Sequence, residues 1–300
     1  MSSIAYVTDE KMLEFHRLYR NRTIIFWRLS SKKKFSDFRK GDLLFFYSRP
    51  AAGKKKAFVG YAHYSSTKRL SLSQMWKYFG EMNGYSSYYA LRDAIEKASK
   101  NHTVPKVMSC LYLTDLVFFN MPVYPEDVGI TLPVNLESYC YIDKDDPGIT
   151  VRILQKAHEG GVDLWWADSG EKDADIFRKD EIRHQLAMIH HRMGKENGTV
   201  KEQQRAHKLA LEQLEESGWE TVRGSKSDCL RMTDSTIYVA IPFVYQSNDK
   251  ELRTREFLGK IVLYKMFMKK NVPDYRVQFQ VMSDGDIREV KHMVDMINAE

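Results

Sequence analysis

The order of helices and strands predicted for the second half of the chain limits its fold more than any other feature. From residue 180 onward, periodic helical segments and short apolar runs follow one another in the order ααβββαβα. The stretch SDCLRMTDSTIYVAIPF, residues 227–243, predicts two adjacent strands, the second an unbroken apolar run. Helices and strands in this order around a small mixed sheet indicate an α/β sandwich.

The first half of the chain is rich in predicted strands. Residues 24–64 contain three apolar runs, IIFWRL, LLFFYSRP and AFVGYAHY, separated by polar and basic turns. A short helix follows, with Ser71 or Ser73 as its N-cap and Gly84 at its end, and then a second helix, YYALRDAIEKASK. CLYLTDLVFFN and ESYCYID predict further strands, and ITVRILQKAH a further helix. We therefore expect an α+β first domain built on a β-barrel.

The length of 300 residues and the 43% apolar content allow two folded domains. Gly, Asp and Ser become frequent after residue 157, so we predict a first domain over residues 1–157, a linker over 158–180 and a second domain over 181–300. No run approaches the roughly 18 apolar residues of a membrane span, and the N-terminus resembles no secretion signal. Three dispersed cysteines fit a reducing compartment better than a zinc site. These features predict a soluble cytoplasmic protein with no membrane partner.

Positive charge is concentrated at one end of the chain. Residues 1–100 contain 20 Lys and Arg against 8 Asp and Glu, whereas residues 151–300 contain 24 against 25. Such an excess indicates a polyanion-binding face on the first domain, although a solvated lysine-rich surface would give the same counts. The candidate phosphate contacts are two triplets, Lys32, Lys33, Lys34 and Lys54, Lys55, Lys56.

Aromatic residues stand beside polar ones at the ends of the predicted strands of the first domain. A barrel mouth with aromatic walls and a few polar edges suits a planar base taken out of a stack, because stacking contributes roughly 1–3 kcal/mol per base. The alternative is that aromatic side chains only fill the barrel, which we expect for Phe45, Phe46, Phe58 and Phe118. The candidate base-binding residues are Phe26, Trp27, Arg28, Ser30, Ser31, Tyr47 and His63.

Four motifs follow one another over residues 20–150: FWRLSSKKKFSDFRKGDLLFFYSR, AFVGYAHY, QMWKYFGEMNGYSSYYALRDAI and SCLYLTDLVFFNMPVYPEDVGI. In this order they resemble the EVE-type PUA-like domains, especially the version fused to nucleases in modification-dependent restriction systems. His63 stands where that family usually has glycine, so the backbone would approach a ligand less closely. The residues that match the family's helix and strand motifs are Trp76, Phe79, Gly80, Asn83, Gly84, Cys110, Phe118 and Phe119.

The resemblance implies that the first domain recognises a modified base in DNA by flipping it into an aromatic cage. It adds Trp76 and Asn83 to the candidate base-binding residues. It further implies defence against foreign DNA, alongside a separate effector protein or as a homodimer. Because PUA-like domains also bind RNA, an RNA-binding regulator stays open as an alternative.

Residues 199–300 resemble the PD-(D/E)XK nuclease fold through EQQRAHKLALEQLEESGWETV, the hairpin and REFLGKIVLYKMFMK. Divalent-metal nucleases hold Mg²⁺ with clustered carboxylates and use a lysine to orient or activate water. Glu202 and Asp228 match two of the acids, but the E-x-K positions fall on Ala240–Pro242. Alanine cannot ligate a cation and proline cannot replace the lysine, so the usual site is absent.

Two interpretations of this second domain remain. A degenerate nuclease would keep the scaffold for DNA binding or assembly, with no metal or other cofactor and no catalysis, and this is the one we favour. A migrated site would make the protein a modification-dependent endonuclease, with Asp228, Glu256 and Lys260 as catalytic residues and Asp228 and Glu202 as Mg²⁺ ligands. Glu256 and Lys260, four residues apart, would equally form an ordinary salt bridge on a helix.

Overall fold

The computed structural model describes residues 3–29, 35, 37–49, 55–163, 170–194, 198–245 and 249–299. The chain divides into two compact units, Met1–Arg178 (unit 1) and Lys179–Glu300 (unit 2), and each contains hydrophobic cores of its own. No helix in the described ranges has both the length and the apolar character needed to cross a membrane.

Unit 1 combines long strands with short helices. Its strands are β1 Ile4–Val7, β2 Thr23–Arg28, β3 Leu43–Ser48, β4 Ala57–Leu70, β5 Met108–Val123 and β6 Tyr139–Tyr141. Its helices are α1 Glu10–Leu18, α2 Leu72–Phe79, α3 Tyr88–Ala98 and α4 Gly148–Gly160, and α5 Gly170–Met193 runs from unit 1 into unit 2. The strands and helices predicted between residues 24 and 158 are present, whereas β1 and α1 lie outside the predicted elements.

Side-chain capping accounts for the position of α2. The Ser71 hydroxyl accepts a hydrogen bond from the Gln74 backbone, and the Gln74 side chain accepts one from the Ser71 backbone, which forms a capping box. Gly84 ends the 3₁₀ turn that follows, with the left-handed φ of 84° that favours glycine. Of the two predicted caps, Ser71 is therefore the correct one.

The sheet of unit 1 has the order β2-β5-β4-β3-β1-β6, with β1 parallel to β3 and the other pairs antiparallel. It is not closed in the described residues, so the prediction of a β-barrel is wrong. A barrel requires its first and last strands to share backbone hydrogen bonds. Here β2 and β6 remain the two edges, and β6 offers only three residues for pairing.

The two faces of this sheet belong to different cores because side chains alternate along each strand. Phe26 and Leu111, paired across β2 and β5, pack in one core. Ile25, Trp27 and Cys110 pack on the other face, in the core that α2 and α3 cover. Four aromatic residues predicted to be core are buried, as expected: Phe45, Phe46, Phe58 and Phe118.

Unit 2 is an α/β sandwich around a mixed sheet. Its strands, β7 Glu220–Thr221, β8 Cys229–Met232, β9 Thr236–Phe243 and β10 Arg276–Ser283, lie in the order β10-β9-β8-β7, and only the β9 and β10 pair is parallel. One face packs against α5, α7 Lys250–Asn271 and α8 Arg288–Ala299, and the other against α6 Val200–Leu214. The helices and strands follow the predicted order.

Candidate functional site

Side chains bridge the two edges of the unit 1 sheet where backbone hydrogen bonds do not. Arg28, the last residue of β2, places its guanidinium carbon 5.0 Å from the ring centre of Tyr139 on β6 and 5.1 Å from that of Phe35. The two rings meet edge to face, with their centres 4.7 Å apart. All three side chains are partly exposed. We call Arg28, Phe35 and Tyr139 the edge cluster.

Buried aromatic residues support the edge cluster from beneath. Tyr6 on β1 lies 5.5 Å from Phe26, ring centre to ring centre, and both are buried. Burial raises the pKa of Tyr6 to about 12, although the positive charge of Arg28 lowers it in part. The Tyr6 hydroxyl therefore stays protonated and uncharged at neutral pH. Arg28 is the only cation of the edge cluster. A cation over aromatic faces stabilises a partly exposed site by roughly 0.5–1 kcal/mol.

The structure does not bring the predicted base-binding residues onto one face. Phe26 and Arg28 lie on the face of β2 that carries the edge cluster. Trp27 points to the opposite face, as strand alternation requires. Trp27 packs there in the same core as Trp76, and its indole nitrogen is buried with no hydrogen-bond partner among the described residues. Ser30 and Ser31 lie outside the described residues.

The remaining predicted base contacts have structural partners elsewhere in unit 1. Tyr47 is buried in a third core, and the His63 imidazole lies 3.1 Å from the Asp115 carboxylate. Asn83 is buried, and its amide donates to the carbonyl oxygens of Met75 and Gly80 at 3.2 and 2.9 Å. Asn83 therefore closes the end of α2 and does not face solvent.

The two predicted lysine triplets are only partly described. Lys32, Lys33, Lys34 and Lys54 lie outside the described residues. Lys55 forms a salt bridge with Glu126 at 2.7 Å. Lys56 donates to the Leu136 carbonyl oxygen at 3.4 Å and lies over the Tyr47 ring. Both described lysines thus have contacts within unit 1.

Unit 2 contains a cavity of about 340 Å³ between α5, α6, α7 and the end of β9. Its wall is apolar along Met193, Phe243 and Phe257. The charged and titratable side chains that line it are His190, Glu202, Arg253, Glu256 and Lys260. The predicted acids and lysine of the migrated site thus meet around one space, with Asp228 behind it.

Asp228 is fully buried and has several partners. Its carboxylate accepts hydrogen bonds from the Lys260 ammonium at 2.7 Å and from the Tyr264 hydroxyl at 2.9 Å, and the His190 imidazole lies 3.5 Å away. Burial raises the pKa of Asp228, but the charge of Lys260 and the contact with His190 outweigh it, so the pKa lies below its ordinary value. Asp228 is held as a carboxylate in a closed ion pair.

The other two acids of the cavity share one arginine. Arg253 lies 2.6 Å from Glu256 and 3.4 Å from Glu202. The Glu202 carboxylate also accepts a hydrogen bond from the Thr199 backbone and so completes the N-terminal capping box of α6. In the described residues a cation therefore faces each of these carboxylates. No group of three or more His, Cys, Asp and Glu in the described residues is placed to hold a metal ion.

At the E-x-K positions of β9, the surroundings of Ala240 and Pro242 suit the apolar residues found there. Ala240 is buried in the core under α6, beside Cys229 of β8. Pro242 lies beyond the end of the pairing between β8 and β9, so its missing N–H removes no hydrogen bond to β8. Among the described residues, the lysine ammonium group nearest to Asp228 is that of Lys260 on α7.

Several site residues could not be found from the sequence pattern. Tyr139 is 111 residues from Arg28 along the chain, and only the curvature of the sheet brings β6 toward β2. Arg253 and Tyr264 belong to the same helix as Lys260, one on the cavity side and one in the core. The helical spacing of Lys260 and Tyr264, four residues apart, is the one signal that places both on Asp228.

Solved structures of one bacterial protein resemble part of the chain. The crystal structure of ASCH from Zymomonas mobilis matches with a TM-score of 0.36 and 13% identity, covering 51% of this chain and 94% of that one. A point mutant of the same protein gives 0.36 and 12%, covering 52% and 98%. No family model and no curated protein matches the chain. Similarity at this level assigns neither a family nor a function.

Proposed function

We propose that this protein binds nucleic acid through unit 1 and recognises a modified base in DNA by holding it, flipped out of the stack, against the edge cluster. One observation carries the proposal: Arg28, Phe35 and Tyr139 form a partly exposed cation–aromatic group at the gap between the two edge strands. The flat faces of Phe35, Tyr139 and the guanidinium are surfaces on which any base can stack. The basic excess of residues 1–100 supports the same ligand class.

The first test measures binding of the full-length protein to a fluorescent single-stranded oligonucleotide by anisotropy. Tyr139→Ala removes one stacking surface and should weaken binding about 5- to 150-fold, which corresponds to roughly 1–3 kcal/mol. Tyr89→Ala is the matched control, because Tyr89 is an exposed aromatic residue on α3 outside the edge cluster. Equal affinities of the two variants would contradict the proposal.

The second test concerns the modified base. Duplexes that carry a single methylated or hydroxymethylated base are compared with the unmodified duplex, and 2-aminopurine fluorescence beside that base reports flipping. We expect tighter binding of at least one modified duplex, with the gain lost in Tyr139→Ala. Equal binding of plain and modified duplexes would contradict the modified-base part of the proposed function. Tighter binding of RNA than of DNA would favour the RNA-binding regulator.

For unit 2 we propose a nuclease-like scaffold that serves DNA binding or assembly, in defence against foreign DNA, with a separate effector or as a homodimer. The pairing of Asp228 with Lys260, and of Glu202 and Glu256 with Arg253, supports a role without catalysis. The expected result is no Mg²⁺-dependent cleavage of any duplex that unit 1 binds. Cleavage that Asp228→Asn abolishes would instead establish the endonuclease alternative.

A further inference from the structure

Three residues form a row across one end of the unit 1 sheet. Arg28 on β2 is paired with Ser109 on β5, and Ser109 is paired with Arg69 on β4. Directly paired residues of antiparallel strands point to the same face. With strands roughly 4.8 Å apart, the two arginines stand about 10 Å from each other with Ser109 between them. We call Arg28, Ser109 and Arg69 the end row.

The neighbouring row confirms which face the end row occupies. Trp27, Cys110 and Lys68 are paired in the same way one residue along, and they point to the opposite face. Trp27 and Cys110 pack there in the core under α2 and α3, and the Lys68 ammonium lies 5.8 Å from the ring centre of Phe79. The end row therefore shares its face with the edge cluster, to which Arg28 also belongs.

The chemistry of the end row is that of a phosphate site. Guanidinium groups present a planar set of donors that matches phosphate oxygens, and a serine hydroxyl adds another donor. Ser109 is buried at the base of the row, whereas Arg69 is exposed and Arg28 is partly exposed. Arg28 is held in place by its contacts with Phe35 and Tyr139. Two like charges thus flank a hydroxyl at the open end of three strands.

We propose that the end row binds a phosphate group, with Arg28 and Arg69 on either side of it and the Ser109 hydroxyl between them. The proposal rests on the proposed function and deepens it, since the phosphate is that of the nucleotide next to the base on the edge cluster. Arg28 then contacts both parts of the ligand. The same chemistry would also bind a free phosphate, and the two sources are separated experimentally.

The test replaces Arg69 by glutamine in the full-length protein, with Lys68→Gln as the matched control. Both variants lose one positive charge from adjacent positions of β4, but only Arg69 lies in the end row. Affinity for a single-stranded oligonucleotide is measured by anisotropy over a series of salt concentrations. We expect Arg69→Gln to weaken binding about tenfold, the loss of one charge-assisted hydrogen bond, and to reduce the slope of log Kd against log salt by about 0.7. Lys68→Gln should change the affinity less than about twofold.

Equal effects of Arg69→Gln and Lys68→Gln on affinity and slope would overturn the phosphate site, because diffuse charge would then account for both. If the wild-type protein binds no oligonucleotide, the proposed function is contradicted. Binding of inorganic phosphate then tests the end row by itself. Thermal unfolding is then followed with phosphate or with chloride at the same ionic strength. A saturable rise in Tm with phosphate, present in the wild type and absent in Arg69→Gln, supports the site; no difference between them overturns it.

Discussion

The ion pair between Asp228 and Lys260 makes a strong prediction about stability. Lys260→Met keeps the length and the apolar stem of the side chain but removes its charge. The Asp228 carboxylate, which has no exposed surface, would lose the ammonium group at 2.7 Å and keep the Tyr264 hydroxyl at 2.9 Å and the His190 imidazole at 3.5 Å. The Tyr264 hydroxyl and the His190 contact replace the lost cation only in part, so the charge of Asp228 would be buried with too little compensation.

The expected magnitude follows from the burial of Asp228. Removing one partner of a buried pair lowers the free energy of unfolding by about 3–5 kcal/mol. Replacing both partners is milder, because no charge is left: Asp228→Asn with Lys260→Met should lower it by only about 1–2 kcal/mol. We therefore expect the double variant to be more stable than Lys260→Met alone. Asp228→Asn alone keeps one oxygen that accepts from Lys260, while its amide group can donate to the Tyr264 hydroxyl oxygen, so its stability should fall between them.

The effect should depend on pH in a defined direction. The folded-state pKa of Asp228 is below its ordinary value in the wild type, so its stabilising contribution is present above about pH 4 and is lost as the pH falls further. In Lys260→Met, burial without the cation would raise that pKa, so the penalty exists above about pH 4 and is relieved by acid. The difference between the two proteins should therefore be largest at neutral pH and shrink on acidification.

Urea denaturation followed by far-UV circular dichroism measures these free energies for the wild type, both single variants and the double variant. A matched control is Lys208→Met, because Lys208 is an exposed lysine whose nearest acid, Glu212, lies 3.8 Å away on the same helix. It should change stability by no more than about 0.5 kcal/mol. A loss below about 1 kcal/mol in Lys260→Met, or a double variant as unstable as the sum of the singles, would refute a buried pair.

Two further predictions concern unit 1. Burial lowers the pKa of His16 to about 4, so its contribution to stability is present above pH 6.5 and is lost as the pH falls toward 4. The stability difference between the wild type and His16→Leu should change by up to about 3 kcal/mol over that range, and a constant difference would contradict this. Gly60→Ala would place a Cβ inside van der Waals contact with the Val117 carbonyl oxygen of the adjacent strand. Because backbone must then move, we expect a loss of about 1–3 kcal/mol in urea denaturation, and an unchanged midpoint would show that β4 and β5 separate freely.

Local patterns carried most of the element predictions. Ser71 and Gln74 are three residues apart and need only each other to form a capping box, so the start of α2 could be read from the sequence. The strands near residues 24, 43, 57 and 110 were likewise visible as apolar runs. β1 is just as apolar, but it is only four residues long and pairs with a strand about 40 residues away. The sequence of β1 contains no local pattern that identifies β3 as its partner strand.

The candidate site depended on geometry that local patterns do not contain. Trp27 and Arg28 are neighbours in the chain, yet strand alternation puts them on opposite faces and into different surroundings. Tyr139 on β6 reaches Arg28 on β2 only because the sheet curves until its two edges come close without pairing. In unit 2, the identities of Asp228 and Lys260 were known from the sequence, but their 2.7 Å contact depends on how α7 packs against the sheet.

The sequence by itself determined the order of the elements, the buried aromatic residues, the separation of basic charge toward one end and the loss of the E-x-K residues. Each of these follows from residue type and from spacings of two to four residues along the chain. The tertiary structure decided that the unit 1 sheet stays open, that Arg28 lies among aromatic rings and between β6 and β5, and that every acid of the unit 2 cavity faces a cation. Most of these features join residues that are distant in the chain, such as Arg28 and Tyr139, Asp228 and Lys260, or Glu202 and Arg253. They are therefore set by packing and strand register rather than by local preference.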